Sequence, residues 1–88
     1  MTDKYRTVFR PEARDELREL PRQAALSIFA KLTALEQNPL GCATTALVGA
    51  PELRRLRVGD YRVIYTLDNG ELVIWVIHLG HRSRIYDA

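Results

Sequence analysis

Four arginines, Arg54, Arg55, Arg57 and Arg62, crowd a stretch in which Asp60 is the only acid. A guanidinium stays charged at any physiological pH and presents a planar fork of donors that can hold two phosphate oxygens, so this segment is where an anion should meet the chain. The bias is general, because 11 of the 13 basic residues are arginine although the net charge is only +2. A second set, Arg6, Arg10, Arg14, Arg18 and Arg22, recurs every four residues among Glu12, Asp15, Glu16 and Glu19. That spacing reads as a solvated helix face with i,i+4 pairs, a matter of solubility. Two histidines complete the titratable inventory. His78 alternates with Leu72, Ile74 and Val76 and reads as a packed or edge histidine. His81 stands beside Arg82 past a strand end, where surface residue and proton-transfer group are both open readings.

Other site types are missing from the sequence. There is no Gly-rich phosphate loop, no His-Glu-x-x-His pair and no Gly-x-Ser-x-Gly elbow. The lone Cys42 has no partner for an internal disulfide or a thiolate zinc site, and reads as small filler. No acidic cluster joins the histidines, so neither a metal nor any other cofactor is expected.

The elements that must carry the arginines follow from periodicity. Tyr5 to Phe9 alternates as a first strand, and Pro11 starts a helix whose narrow apolar face is Ala13, Leu17 and Leu20. Pro21 ends it and opens a second helix with a stripe of Ala25, Ile28, Phe29, Leu32 and Leu35, closing before Asn38-Pro39. Leu40 to Pro51, rich in small and turn-forming residues, is expected to be loop. Leu53 to Val58 then sends Leu56 and Val58 to one face and Arg55 and Arg57 to the other. Gly59-Asp60 turns the chain into Tyr61 to Leu67, whose Tyr61, Val63, Tyr65 and Leu67 share a core face. Asp68-Asn69-Gly70 makes a hairpin into the apolar run Leu72 to Leu79, where Trp75 alternates with Val73 and Ile77 as a core or interface aromatic. A short last strand is expected over Ser83 to Tyr86. The order βααββββ predicts an α+β fold, one domain over residues 1–88, with a helix hairpin on one face of a small, mostly antiparallel sheet and the other face left for function. At 88 residues, a second core is excluded. No apolar run approaches the roughly 18 residues that span a bilayer. The opening Met-Thr-Asp-Lys-Tyr-Arg lacks the order of a secretory signal, so a cytoplasmic protein with no membrane contact is expected.

The segment Leu56-Arg57-Val58-Gly59-Asp60-Tyr61-Arg62-Val63-Ile64-Tyr65 resembles the central signature of the RelE/ParE toxin superfamily. Gly80-His81-Arg82 followed by Tyr86 resembles the closing motif of that family, and Phe9 to Ala13, Leu20-Pro21 and Asn38-Pro39 also fit its pattern. The resemblance spans essentially the whole chain and is carried mainly by the decapeptide and the spaced Gly-His-Arg. It implies a RelE-like fold and a toxin of a toxin–antitoxin pair, partnered by a short, acidic, helical antitoxin, with a homodimer left open. In RelE-like members it further implies a metal-independent endoribonuclease that cuts mRNA in the ribosomal A site. Such cleavage by a 2′-hydroxyl requires removal of its proton, stabilisation of charge on the phosphate, and protonation of the leaving oxygen. The resemblance makes Arg62 and Arg82 the phosphate-stabilising arginines, Arg55 and Arg57, with neighbouring Arg54, the RNA-binding basic residues, and Tyr86 the group that orients the hydroxyl or stacks on a base.

Two departures from the family pattern matter. Some RelE members carry a lysine on the strand of Arg55, and a lysine can act as a base where an arginine effectively cannot. His81 and Tyr86 then become the leading candidates for base and acid. The chain also stops at Ala88, two residues after Tyr86, so no long C-terminal helix is expected for an antitoxin to displace. Two other functions fit the same resemblance: a ParE-like inhibitor of DNA gyrase, and an inactive member that survives as an antitoxin-binding module.

Overall fold

The computed structural model describes residues 4–41 and 44–81. Its first element, β1 (Arg6–Phe9), leads into α1 (Pro11–Arg18), where Pro11 fills a first-turn position that needs no amide donor. After Pro21 the chain forms α2 (Arg22–Gln37). That helix stops because Asn38 precedes a proline and leaves helical space, at φ −150° and ψ 83°. Four strands follow: β2 (Thr44–Leu47), β3 (Ala50–Val58), β4 (Tyr61–Asp68) and β5 (Val73–His81). The sheet order is β1-β5-β4-β3-β2, with β1 parallel to β5 and every other pair antiparallel.

The α+β class and the helix pair on a mostly antiparallel sheet therefore match the expectation. One assignment does not. Leu40 to Pro51, expected to be loop, contains β2 and the start of β3, joined by Val48-Gly49 with Gly49 at φ +83°. Thr44, Thr45 and Leu47 are strand formers, but a four-residue edge strand between glycines and a proline has too little periodicity to stand out. Pro51 is tolerated because the β2–β3 register breaks there, passing from Ala46↔Arg54 to Leu47↔Ala50. The last strand expected over 83–86 lies outside the described residues.

The core lies between helices and sheet. Ala13, Ile28, Leu32 and Leu35 meet Leu56, Val58, Val63, Tyr65, Ile74, Val76 and Leu79. Phe29, expected in the buried stripe of α2, is 44% exposed and packs edge-on against Phe9 at 5.9 Å instead. It sits a hundred degrees round the helix from Ile28, at the margin of the stripe. Tyr65 is fully buried, and its hydroxyl donates to Pro39 O at 2.7 Å, tying the central strand to the end of α2.

On β5 the alternation read from sequence changes phase part-way. Ile64 pairs with His78 and Tyr65 with Val76, which leaves Ile77 as an extra residue in a bulge. Ile74, Val76 and Leu79 all reach the core, whereas unbroken alternation would have grouped His78 with Ile74 and Val76. The preceding turn also differs: Asp68 Oδ1 accepts the amides of Gly70 and Glu71 at 3.1 and 3.0 Å, and Leu72 sits in the turn at φ +57°. The Tyr65→Phe variant should lose about 1 kcal/mol of stability, measured as a lower urea midpoint at unchanged slope, because the Pro39 carbonyl loses its partner.

Candidate nucleic-acid interface

Residues directly opposite in an antiparallel pair project from the same face, so the register places the arginines. Leu56 and Val58 are buried under the helices, which turns Arg55 and Arg57 to the other face. Arg57 is opposite Arg62, and Arg62 is opposite Gly80. Arg55 is opposite Ile64, and Ile64 is opposite His78. Two adjacent rows thus cross three strands, Arg57–Arg62–Gly80 and Arg55–Ile64–His78. Side-chain roots directly across a pair lie about 5 Å apart, so Arg57 and Arg62 present two like charges at the reach of a single phosphate. Gly80 contributes no side chain beside Arg62. Arg55 is steadied from the sheet edge, where its guanidinium donates to Thr45 Oγ1 at 3.4 Å.

The other expected site residues fall elsewhere. Arg54 points to the helix side of β3 and donates to Thr44 Oγ1 at 2.9 Å, a hydroxyl that itself donates to Gly41 O at 2.7 Å. It braces the β2–β3 hairpin, apart from the face of Arg55 and Arg57. His81 is opposite Tyr61, and the two rings meet edge to face at 5.5 Å. Tyr61 packs against the core, so His81 belongs to the helix side of the strand end, across the sheet from Arg62. Arg82, Tyr86 and Cys42 lie outside the described residues.

The structure adds His78, which the bulge at Ile77 turns onto the arginine face as a diagonal neighbour of Arg62, about 7 Å away at its root. No sequence signal marks that bulge. Among the described residues no group of three or more His, Cys, Asp and Glu could hold a metal ion. Beside α2, a cleft of about 520 Å³ is lined by Ala24, Ser27, Lys31, Val58 and Tyr61, and a second of about 270 Å³ shares Lys31 and adds Leu35 and Leu56. Both lie beside α2, apart from the arginine rows.

The family model described as the ParE toxin of the parDE type II toxin–antitoxin system matches residues 7–86. The chain belongs to the RelE/ParE toxin family. Toxin RelE of Mycobacterium tuberculosis is 30% identical over 83 residues, covering 93% of this chain and 86% of that protein. The RelE of the Pyrococcus horikoshii RelE–RelB complex has the same fold with a TM-score of 0.77 and 30% identity, over 97% of this chain and 100% of that one. A chain of the M. tuberculosis RelBE2 toxin–antitoxin complex superposes with a TM-score of 0.81 at 23% identity, over 90% and 99% of the two chains, and shows the fold alone. Membership of the RelE/ParE family accounts for the central decapeptide, whose role in the fold is to set Arg57 opposite Arg62 around the Gly59-Asp60 turn. Gly59, at φ +59°, supplies the left-handed backbone that a two-residue hairpin needs.

An anion held between the facing guanidiniums should stabilise the folded state by linkage. Inorganic phosphate should therefore raise the thermal midpoint of the wild-type protein more than that of the Arg57→Ala/Arg62→Ala double variant at equal ionic strength. Equal rises in the two proteins would show that the rows hold no phosphate.

Proposed function

We propose that this chain is the toxin of a type II toxin–antitoxin pair and acts as a metal-independent endoribonuclease on mRNA in the ribosomal A site, stopping translation in the cytoplasm. The observation that carries the reading is the Arg57–Arg62–Gly80 row, which roots two arginines opposite one another on the sheet face away from the helices, at the start of the Gly80-His81-Arg82 motif. Arg62 and Arg82 stabilise charge on the phosphate in flight, Arg55 and Arg57 hold the RNA backbone, and Tyr86 orients the hydroxyl or stacks on a base. Arg54 supports this surface through the β2–β3 hairpin. Proton transfer falls to Tyr86 and a histidine. Between His78 and His81, the sharing of a face with Arg62 favours His78, a role added to the two expected from sequence.

Arginine stabilises a phosphate without moving a proton, so this site by itself is poorly equipped for both transfers. A ribosome that held the 2′-hydroxyl in line with the phosphate would supply the missing positioning, worth roughly 7 to 11 kcal/mol of barrier. Purified protein should thus cut A-site mRNA quickly and free RNA very slowly, with no change on adding a chelator. Rapid cleavage of naked RNA would refute that dependence. Arg62→Ala and Arg82→Ala should each slow cleavage about 100-fold or more while leaving the fold intact. Tyr86→Phe separates the two roles of the tyrosine, since full activity there and loss in Tyr86→Ala would assign stacking.

A gyrase inhibitor is the second reading, favoured by the ParE description of the matching family model. Supercoiling by gyrase measured beside mRNA cleavage distinguishes the two, because an inhibitor would block gyrase and create no new 5′ ends. For the partner, relatives crystallised as RelE–RelB and RelBE2 complexes support a cognate antitoxin. The clefts beside α2 offer apolar walls and Lys31 to an acidic amphipathic helix.

A further inference from the structure

The parallel partner of β5 is short. β1 pairs with it only from Arg6↔Val73 to Phe9↔Val76, and the amide of Arg10 donates to Val76 O at 2.9 Å before the chain turns into α1. Past Val76, no strand among the described residues continues along that edge, and α1 packs against β5. An enclosed amide must find an acceptor, and Leu79 is only 1% exposed. Its amide donates to Glu16 Oε1 of α1 at 3.0 Å. The same oxygen lies 3.4 Å from His78 Nδ1. Glu16 thus grips two successive residues of β5, immediately after the bulge at Ile77 and immediately before Gly80-His81. Its neighbour Asp15 behaves differently: 74% exposed, it stands 4.0 Å from an equally exposed Arg18, while Glu16 is 38% exposed. One member of a run that reads as a solvated face in sequence has become part of the sheet.

We propose that Glu16 is a positioning residue for the phosphate-handling face. Its carboxylate gives the Leu79 amide the acceptor that a strand neighbour would supply, holds β5 in the phase set by the bulge, and thereby keeps Gly80 opposite Arg62 and His78 on the arginine face. It touches no substrate. The functional side of the proposal rests on the nuclease reading above.

Three substitutions separate the roles that Glu16 could have. Glu16→Gln keeps an oxygen acceptor at the same reach, Glu16→Asp keeps the charge but is one methylene too short, and Glu16→Ala removes both. Amide hydrogen exchange of Leu79, followed by NMR, should stay slow in the wild type and in Glu16→Gln and become about tenfold faster or more in Glu16→Asp and Glu16→Ala. Cleavage of A-site mRNA should follow the same division. The Gln variant should remain within about threefold of wild type, and the Asp and Ala variants should lose about 10- to 100-fold in kcat with KM changed by less than about threefold, as misplaced groups do. Should Glu16→Ala fail to fold, Glu16→Asp carries the comparison. The proposal is overturned if Leu79 exchanges equally slowly in all variants, if Glu16→Gln is as slow as Glu16→Ala, or if the Asp and Ala variants cleave at the wild-type rate. A wild-type protein that cuts no ribosome-bound mRNA would refute the nuclease reading, and the exchange contrast would then decide the grip of Glu16 by itself.

Discussion

Strand β5 must pair in parallel with β1 on one side and antiparallel with β4 on the other while keeping its apolar side chains under two helices, and the rest of the structure depends on how it does so. A strand of strict period two cannot send both Val76 and Leu79, which are three residues apart, to the face under the helices. The extra residue at Ile77 resolves the conflict. Before it, Ile74 and Val76 face the core, and after it Leu79 does. The same step sends His78 and Gly80 to the far face beside Ile64 and Arg62. The packing demand of the core and the composition of the candidate site are therefore one constraint, met by one bulge next to the site.

The site works against the stability of its own sheet. Like charges opposite one another across a strand pair are destabilising, and Arg57 faces Arg62 in that way. What holds the pair in place lies underneath: Leu56, Val58 and Val63, at 3%, 6% and 0% exposure, anchor both strands beneath the helices on the faces opposite the arginines. The tight turn at Gly59-Asp60 keeps the two arginines in register. At the outer edge, β2 supplies the threonine hydroxyls that hold Arg54 and Arg55, so the short hairpin serves as a frame for the basic strand. Two guanidiniums rooted opposite one another across a strand pair make a positively charged surface suited to an anion.

The sheet face away from the helices is also less polar than simple alternation suggests. Ile64 is 5% exposed there, and Trp75 is half-buried. The arginines rise from an apolar floor, whose lower local dielectric would strengthen their attraction for an anion relative to open water.

The residues by themselves determined a good deal. Pro11, Pro21 and Asn38-Pro39 bound both helices because proline acts through sterics with its immediate neighbours. The alternation of β3 and of the first part of β4 separated Leu56 and Val58 from Arg55 and Arg57, since the period of a strand is a local property. The arginine surface and the α+β class were legible on those grounds, and the likeness of the decapeptide and of Gly80-His81-Arg82 to the RelE/ParE family pointed to its use. Tertiary structure alone decided the rest. The strand β2, the bulge at Ile77, the face taken by His78, the separation of His81 from the arginine rows and the capture of the Leu79 amide by Glu16 all turn on hydrogen-bond partners or packing surfaces remote in the chain. Glu16 and Leu79 are 63 residues apart, a distance over which no local period carries information. Which acid of a charged helix meets an unpaired amide is settled only when α1 comes to rest against the edge of β5.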